Sequence, residues 1–96
     1  MNKTVEAFID THLHIEMAYV GMHERARKTI PTFGPDFESS LKAGFEELLV
    51  TRELSAGDYD GLTHVAFASD DDLYVYLQGI YDYLFNGADT APAPPE

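Results

Sequence analysis

A chain of 96 residues with 45% hydrophobic content is one domain by length and can bury a single modest core. It contains no cysteine, which excludes disulfides, thiolate metal centres and thiol catalysis. Seventeen acidic residues against 6 basic ones leave a formal charge of −11, a field that repels nucleic acid and anionic membrane and attracts cationic partners.

The excess is unevenly placed. Residues 1–52 hold 8 acids and all 6 bases, whereas residues 53–96 hold 9 acids and no base. No apolar run approaches the length of a membrane span, and the N-terminus lacks a charged segment leading into an apolar one, so the expectation is a soluble cytoplasmic protein.

Residues 4 to about 29 read as helix, as one piece or two. Thr4 is a candidate cap, and Val5, Phe8 and Ile9 form an apolar stripe. A second stripe, Leu13, Met17 and Val20, is out of phase with the first, which predicts a break within residues 10–14, with Asp10 or Thr11 capping a second helical piece. Within "AFIDTHLHIE", the series Asp10, His12, His14 resembles the first metal-binding strand of the amidohydrolase family. That family's barrel needs roughly 200 residues or more. On a helix, His12 and His14 stand about 200° apart and cannot chelate one ion. His12, Glu16 and His23, at i, i+4 and i+11, could share a face as an adventitious transition-metal site at best. Arg25, Arg27 and Lys28 favour a helix C-terminus, and Pro31 is a stop.

"TFGPDFESS" opens the next helix, with Pro35 at the first position and Asp36 and Glu38 in the first turn. Phe37, Leu41, Phe45, Leu48 and Leu49 make one continuous face over roughly residues 35–53, opposite Lys42, Glu46, Glu47 and Glu53. "SAGDYDGLTHVAFASDDDL" carries two start signals, Ser55 with Asp58 and Ser69 with Asp72. The first predicts a short helix ending near Gly61 and Leu62; the second opens the last long helix. There Leu73, Leu77, Ile80 and Leu84 form a seam beside Tyr76 and Tyr83, and Asn86 or Gly87 offers a stop. "THVAF" at 63–67 is the only strand candidate and has nothing to pair with. The prediction is an all-α compact bundle of about four helices, mainly antiparallel, over residues 1–87, followed by a disordered Ala/Pro-rich tail at 88–96.

Catalytic chemistry has little to stand on. Ser39, Ser40, Ser55 and Ser69 lie in capping or helix-surface contexts, and Gly57 and Gly61 are too dispersed for a phosphate loop. A calcium loop starting at Asp58 would need glycine at its sixth position and Glu at its twelfth, where the chain has Thr63 and Ser69. The expectation is a non-enzyme with no metal and no cofactor. What remains is a combination of acids interleaved with tyrosines: Asp58, Tyr59, Asp60, Asp70, Asp71, Asp72, Tyr74 and Tyr81 are the candidate partner-binding residues. Tyrosines anchor interfaces at low entropic cost and acids steer basic partners. The alternatives are that Tyr74, Tyr81 and Phe85 pack against the first helix pair and that the triple Asp offsets a helix dipole.

The start "MNKT", the "FEELL" helix at 45–49, the acidic connection "SAGDYD" and the last helix after "DDDL" give the chain a plan that resembles bacterial immunity proteins against tRNA-cleaving toxins, of the colicin D immunity type. The resemblance implies an acidic helical bundle that covers the basic active site of a ribonuclease. Two other readings stand beside it: a homo-oligomeric structural or adaptor protein closing through Tyr74, Tyr81 and Phe85, and an acidic mimic of nucleic acid that blocks a DNA-binding protein.

Overall fold

The computed structural model describes residues 2–14 and 23–95. They form α1 (Lys3–His12), α2 (His23–Thr29), a 3₁₀ turn (Ile30–Phe33), α3 (Pro35–Thr51), α4 (Ala56–Thr63) and α5 (Asp70–Phe85). No strand occurs among the described residues, so "THVAF" is not one, and the fold is all-α as the periodicity predicts.

The cap of α1 is Asn2 rather than Thr4. Its Oδ1 accepts from the Val5 amide at 2.8 Å, and its Nδ2 donates to the Ser40 carbonyl at 3.0 Å, which pins the start of α1 to α3. Thr4 lies inside the helix and accepts from the Ser40 hydroxyl at 3.1 Å. This approach needs Gly44, because a Cβ there would come within 2.6 Å of the Asn2 amide group. Val5, Phe8 and Ile9 are buried as their spacing predicts. The helix ends at His12, and the Leu13 amide donates to the Ile9 carbonyl at 3.1 Å. The break therefore falls within residues 10–14, but Asp10 and Thr11 complete α1 instead of capping a second helix. Of the second stripe, Leu13 is fully buried; Met17 and Val20 lie outside the described residues.

Pro31 sits in the first turn of the 3₁₀ segment, where a missing amide is tolerated, so it tightens the chain after α2. Gly34, at φ 97, then redirects it into α3 with Pro35 at the start. Leu41, Phe45 and Leu48 are buried along α3, with Phe37 and Leu49 partly covered beside them. The helix stops at Thr51, short of the predicted 53, because Arg52 takes the left-handed conformation (φ 51) and its amide donates to the Leu48 carbonyl at 2.8 Å. Glu53 consequently lies on the connection to α4.

Both later start signals are real caps. Ser55 Oγ accepts from the Asp58 amide at 3.0 Å and the Asp58 carboxylate accepts from the Ser55 amide at 3.4 Å, a complete capping box. Ser69 Oγ accepts from the Asp72 amide at 3.1 Å. Helix α4 runs to Thr63, where His64 turns left-handed at φ 61.

Helix α5 is the centre of the molecule. Seven of its 16 residues are buried: Leu73, Tyr74, Tyr76, Leu77, Ile80, Tyr81 and Tyr83. It runs antiparallel to α3, since Tyr74 meets Leu54, Tyr81 meets Glu46 and Phe85 meets Phe45. Helix α2 packs on its other side, with the Arg27 guanidinium 4.6 Å from the Tyr83 ring centre, while α1 packs on α3 and α4. Residues Ala88 to Pro95 form no helix or strand; Arg27 donates to the Ala88 carbonyl at 3.2 Å. No helix among the described residues is long and apolar enough to cross a membrane.

Candidate protein-binding face

The tyrosines and the acids of the predicted site part company. Tyr59 is 0% exposed, with its ring edge-on to Phe67 at 5.5 Å. Its hydroxyl is buried with no hydrogen-bond partner among the described residues. Tyr74 is buried, its hydroxyl accepting from the Leu54 amide at 3.1 Å and donating to the Leu54 carbonyl at 2.8 Å. The Tyr81 ring is buried against Phe45 and Phe85, and its hydroxyl donates to Glu46 at 3.1 Å. The surface-anchor assignment for Tyr59, Tyr74 and Tyr81 is therefore corrected. The reason is that α5 is enclosed by neighbours on more than one side, so the face bearing Tyr74 and Tyr81 is covered by α3. A homodimer seam through Tyr74, Tyr81 and Phe85 loses its exposed tyrosines for the same reason.

Burial pushes all three phenols above their ordinary range: desolvation acts on each, charge repulsion from the Tyr76 phenolate adds to it at Tyr59, and the Glu46 carboxylate adds to it at Tyr81. At Tyr74, the bond to the Leu54 backbone and the Arg52 charge oppose the upward push. A phenol whose pKa is higher folded than unfolded binds protons better when folded. Its contribution to stability is present below about pH 10 and is lost as pH rises above that ordinary value. Tyr59 gives a test of opposite sign at neutral pH. Because its buried hydroxyl has no partner among the described residues, Tyr59→Phe is expected to raise stability by about 1–2 kcal/mol. It should also flatten the loss of stability above pH 10, both read from urea unfolding at neutral and alkaline pH.

The acids stay at the surface, and the structure divides them. The start of α4, the start of α5 and the end of α3 meet at one junction. Asp70 Oδ1 accepts from the Ala56 amide at 2.7 Å, tying the two helix starts together. Asp71 Oδ1 pairs with Arg52 Nη2 at 2.7 Å, and Asp58 closes the adjoining capping box. Asp58, Asp70 and Asp71 are thus brought together and exposed. Two others are not. Asp60 follows Asp58 by two residues on α4 and points about 200° away. Asp72 likewise turns from Asp70 and lines a separate cleft with Phe67, Val75 and Tyr76.

Physically, the junction collects carboxylates because two helix N-termini, each with unpaired amides and a positive dipole end, lie side by side. These bonds satisfy amides without neutralising charge. Asp71 is paired with the Arg52 guanidinium, which is held over the Tyr74 ring at 4.7 Å, while Asp58 and Asp70 accept from backbone amides. Arg52 is not legible in the sequence as a site residue, since nothing in the pattern around it marks a left-handed helix end. The pair it makes with Asp71 is solvent-exposed, and such pairs contribute little to stability. Two exposed apolar residues flank the junction: Val75, at i+4 from Asp71, and Val50 near the end of α3.

The histidines of the opening motif have separate neighbours. The His12 ring lies 4.8 Å from Phe8, where burial holds its pKa below the ordinary value, and the His14 ring meets His64 edge-on at 5.2 Å. Glu16 and the His23 side chain fall outside the described residues.

No protein-family model, curated protein or solved structure matches the chain.

Proposed function

We propose that the chain is a non-catalytic, cytoplasmic immunity protein or antitoxin that binds a cationic nuclease toxin and occludes its active site. The observation that carries this reading is the junction of α3, α4 and α5, where Asp58, Asp70 and Asp71 are held together and exposed on a chain of charge −11. Carboxylates fixed in this way stand in for substrate phosphates opposite the Lys and Arg of a nuclease site, and long-range attraction speeds the encounter. Val50 and Val75 supply exposed apolar contact beside the charges. Buried Tyr74 braces the junction through Leu54 and Arg52 instead of touching the partner. The similarity of the chain's plan to colicin D immunity proteins narrows the target to a tRNA-cleaving enzyme.

Affinity capture tests this. The full-length chain is immobilised, exposed to lysate of the source cell, washed at low and high salt, and the eluate identified by mass spectrometry and assayed for nuclease activity. A basic nuclease retained at low salt, released at high salt and silenced by the free chain is the expected result. Retention of a DNA-binding protein without nuclease activity would move the reading to a nucleic-acid mimic, and an empty eluate would overturn both.

A further inference from the structure

Gly79 stands mid-way along α5, and the ring of Pro92 lies over it. A Cβ at position 79 would come within 2.9 Å of Pro92 Cγ, 3.2 Å of its Cβ and 3.3 Å of its Cδ. Val75, one turn earlier on the same face, is 74% exposed. Beside them is a cleft of about 300 Å³ lined by Phe67, Asp72, Val75 and Tyr76 from the body and by Pro92 and Pro95 from the tail. The Phe67 and Tyr76 rings lie 5.2 Å apart and form its aromatic wall. The last stretch of chain thus lies against an aromatic-walled cleft with a glycine where the closest approach occurs.

The chemistry of the tail matches that surface. In Ala91-Pro92-Ala93-Pro94-Pro95, each proline has its φ fixed, and Ala91, Ala93 and Pro94 each precede a proline and so favour extended backbone. Such a segment loses little entropy when it docks, which is why proline-rich sequences are read by aromatic-lined grooves. The tail is also rooted before it reaches the cleft, because the Ala88 amide donates to the Asp82 carbonyl at 3.1 Å and the Ala88 carbonyl accepts from Arg27 at 3.2 Å. A displaced tail would remain tethered and would compete for its seat at high local concentration.

We propose that the cleft beside Gly79 is a binding site for an extended proline-rich segment, held in cis by residues 91–95 and opened when a partner's proline-rich segment displaces them. This inference does not rest on the nuclease reading, and Val75 borders both the cleft and the acidic junction.

The test uses the full chain carrying Pro92→Ser, Pro94→Ser and Pro95→Ser, which empties the cleft, and a synthetic peptide of sequence ADTAPAPPE as the probe. Saturable shifts of the amide NMR signals of Phe67 and Val75 to Gly79 are expected on adding the peptide. Binding to the unaltered chain should be weaker by about tenfold or more, because the tethered tail competes. Adding Gly79→Ala to the triple variant should abolish binding without lowering the melting temperature, since alanine suits a helix interior better than glycine. Absence of shifts in the triple variant, or equal affinity with alanine at 79, would overturn the proposal. So would a dimer of the unaltered chain that dissociates when the three prolines are replaced, because the tail would then be exchanged between copies.

Discussion

Tyr74→Phe is expected to lower folding stability by about 2–4 kcal/mol, because one hydroxyl serves both backbone groups of a single buried residue. That residue is Leu54, 6% exposed, whose amide and carbonyl are bonded to Tyr74 at 3.1 and 2.8 Å. Leu54 lies on the connection between α3 and α4, outside any helix, so no ladder of backbone bonds can take over either group. Phenylalanine keeps the ring under the Arg52 guanidinium and so preserves the cation contact. Any loss can then be assigned to the hydroxyl. Urea unfolding of the two proteins measures it, and a change under about 0.5 kcal/mol would mean that water satisfies Leu54 in the variant. The contrast with Tyr59→Phe sharpens the test. One removes a buried hydroxyl with two partners and the other a buried hydroxyl with none among the described residues, so the two substitutions should move stability in opposite directions.

Neutralising the junction is the larger test of function. With Asp58, Asp70 and Asp71 all replaced by Asn, the association rate with the captured nuclease at low salt should fall by about 10- to 100-fold, and its dependence on salt should flatten. Asparagine is the informative choice because its side-chain oxygen can still accept from the Ala56 and Ser55 amides that the aspartates serve. Alanine would remove the caps together with the charge. Stopped-flow mixing reads the rate, and a melting curve close to that of the unaltered chain shows that the helix starts have survived. Asp60→Asn and Asp72→Asn serve as matched controls, since these residues point away from the junction and should change the rate much less. An undiminished rate in the triple variant would place the binding face elsewhere.

The features legible ahead of the structure are local ones. Ser55 with Asp58, and Ser69 with Asp72, mark helix starts because a cap is a bond between residues three apart and needs nothing from the rest of the fold. The apolar face of α3 is legible for a related reason: Leu41, Phe45 and Leu48 recur at one helical period, so one side has to be buried. The first cap is different, because Asn2 and Thr4 are both capping residue types and local spacing does not favour the right one. The choice between them is made by Ser40 and Gly44, which lie far along the chain.

The candidate site is half legible. The acids are in view as charge, and charge must stay near water unless it is paired, so Asp58, Asp70 and Asp71 are on the surface as expected. Arg52 and the grouping of these three are not. An amphipathic pattern tells which residues of a helix share a face, but it does not tell how many faces its neighbours will cover. In α5 two faces are rich in apolar and aromatic residues, and the sequence alone leaves open whether the one with Tyr74 and Tyr81 looks outward.

By itself, then, the sequence determined that the chain is helical, where most of its helices begin, and that its later half is anionic, all consequences of contacts within a few residues or of composition. Only the tertiary structure decided that α5 is central and that its tyrosines are core. It also decided that Asp70 meets the start of α4 while Asp60 and Asp72 turn aside. Those outcomes depend on residues brought together from α3, α4 and α5, a packing choice that no local spacing encodes.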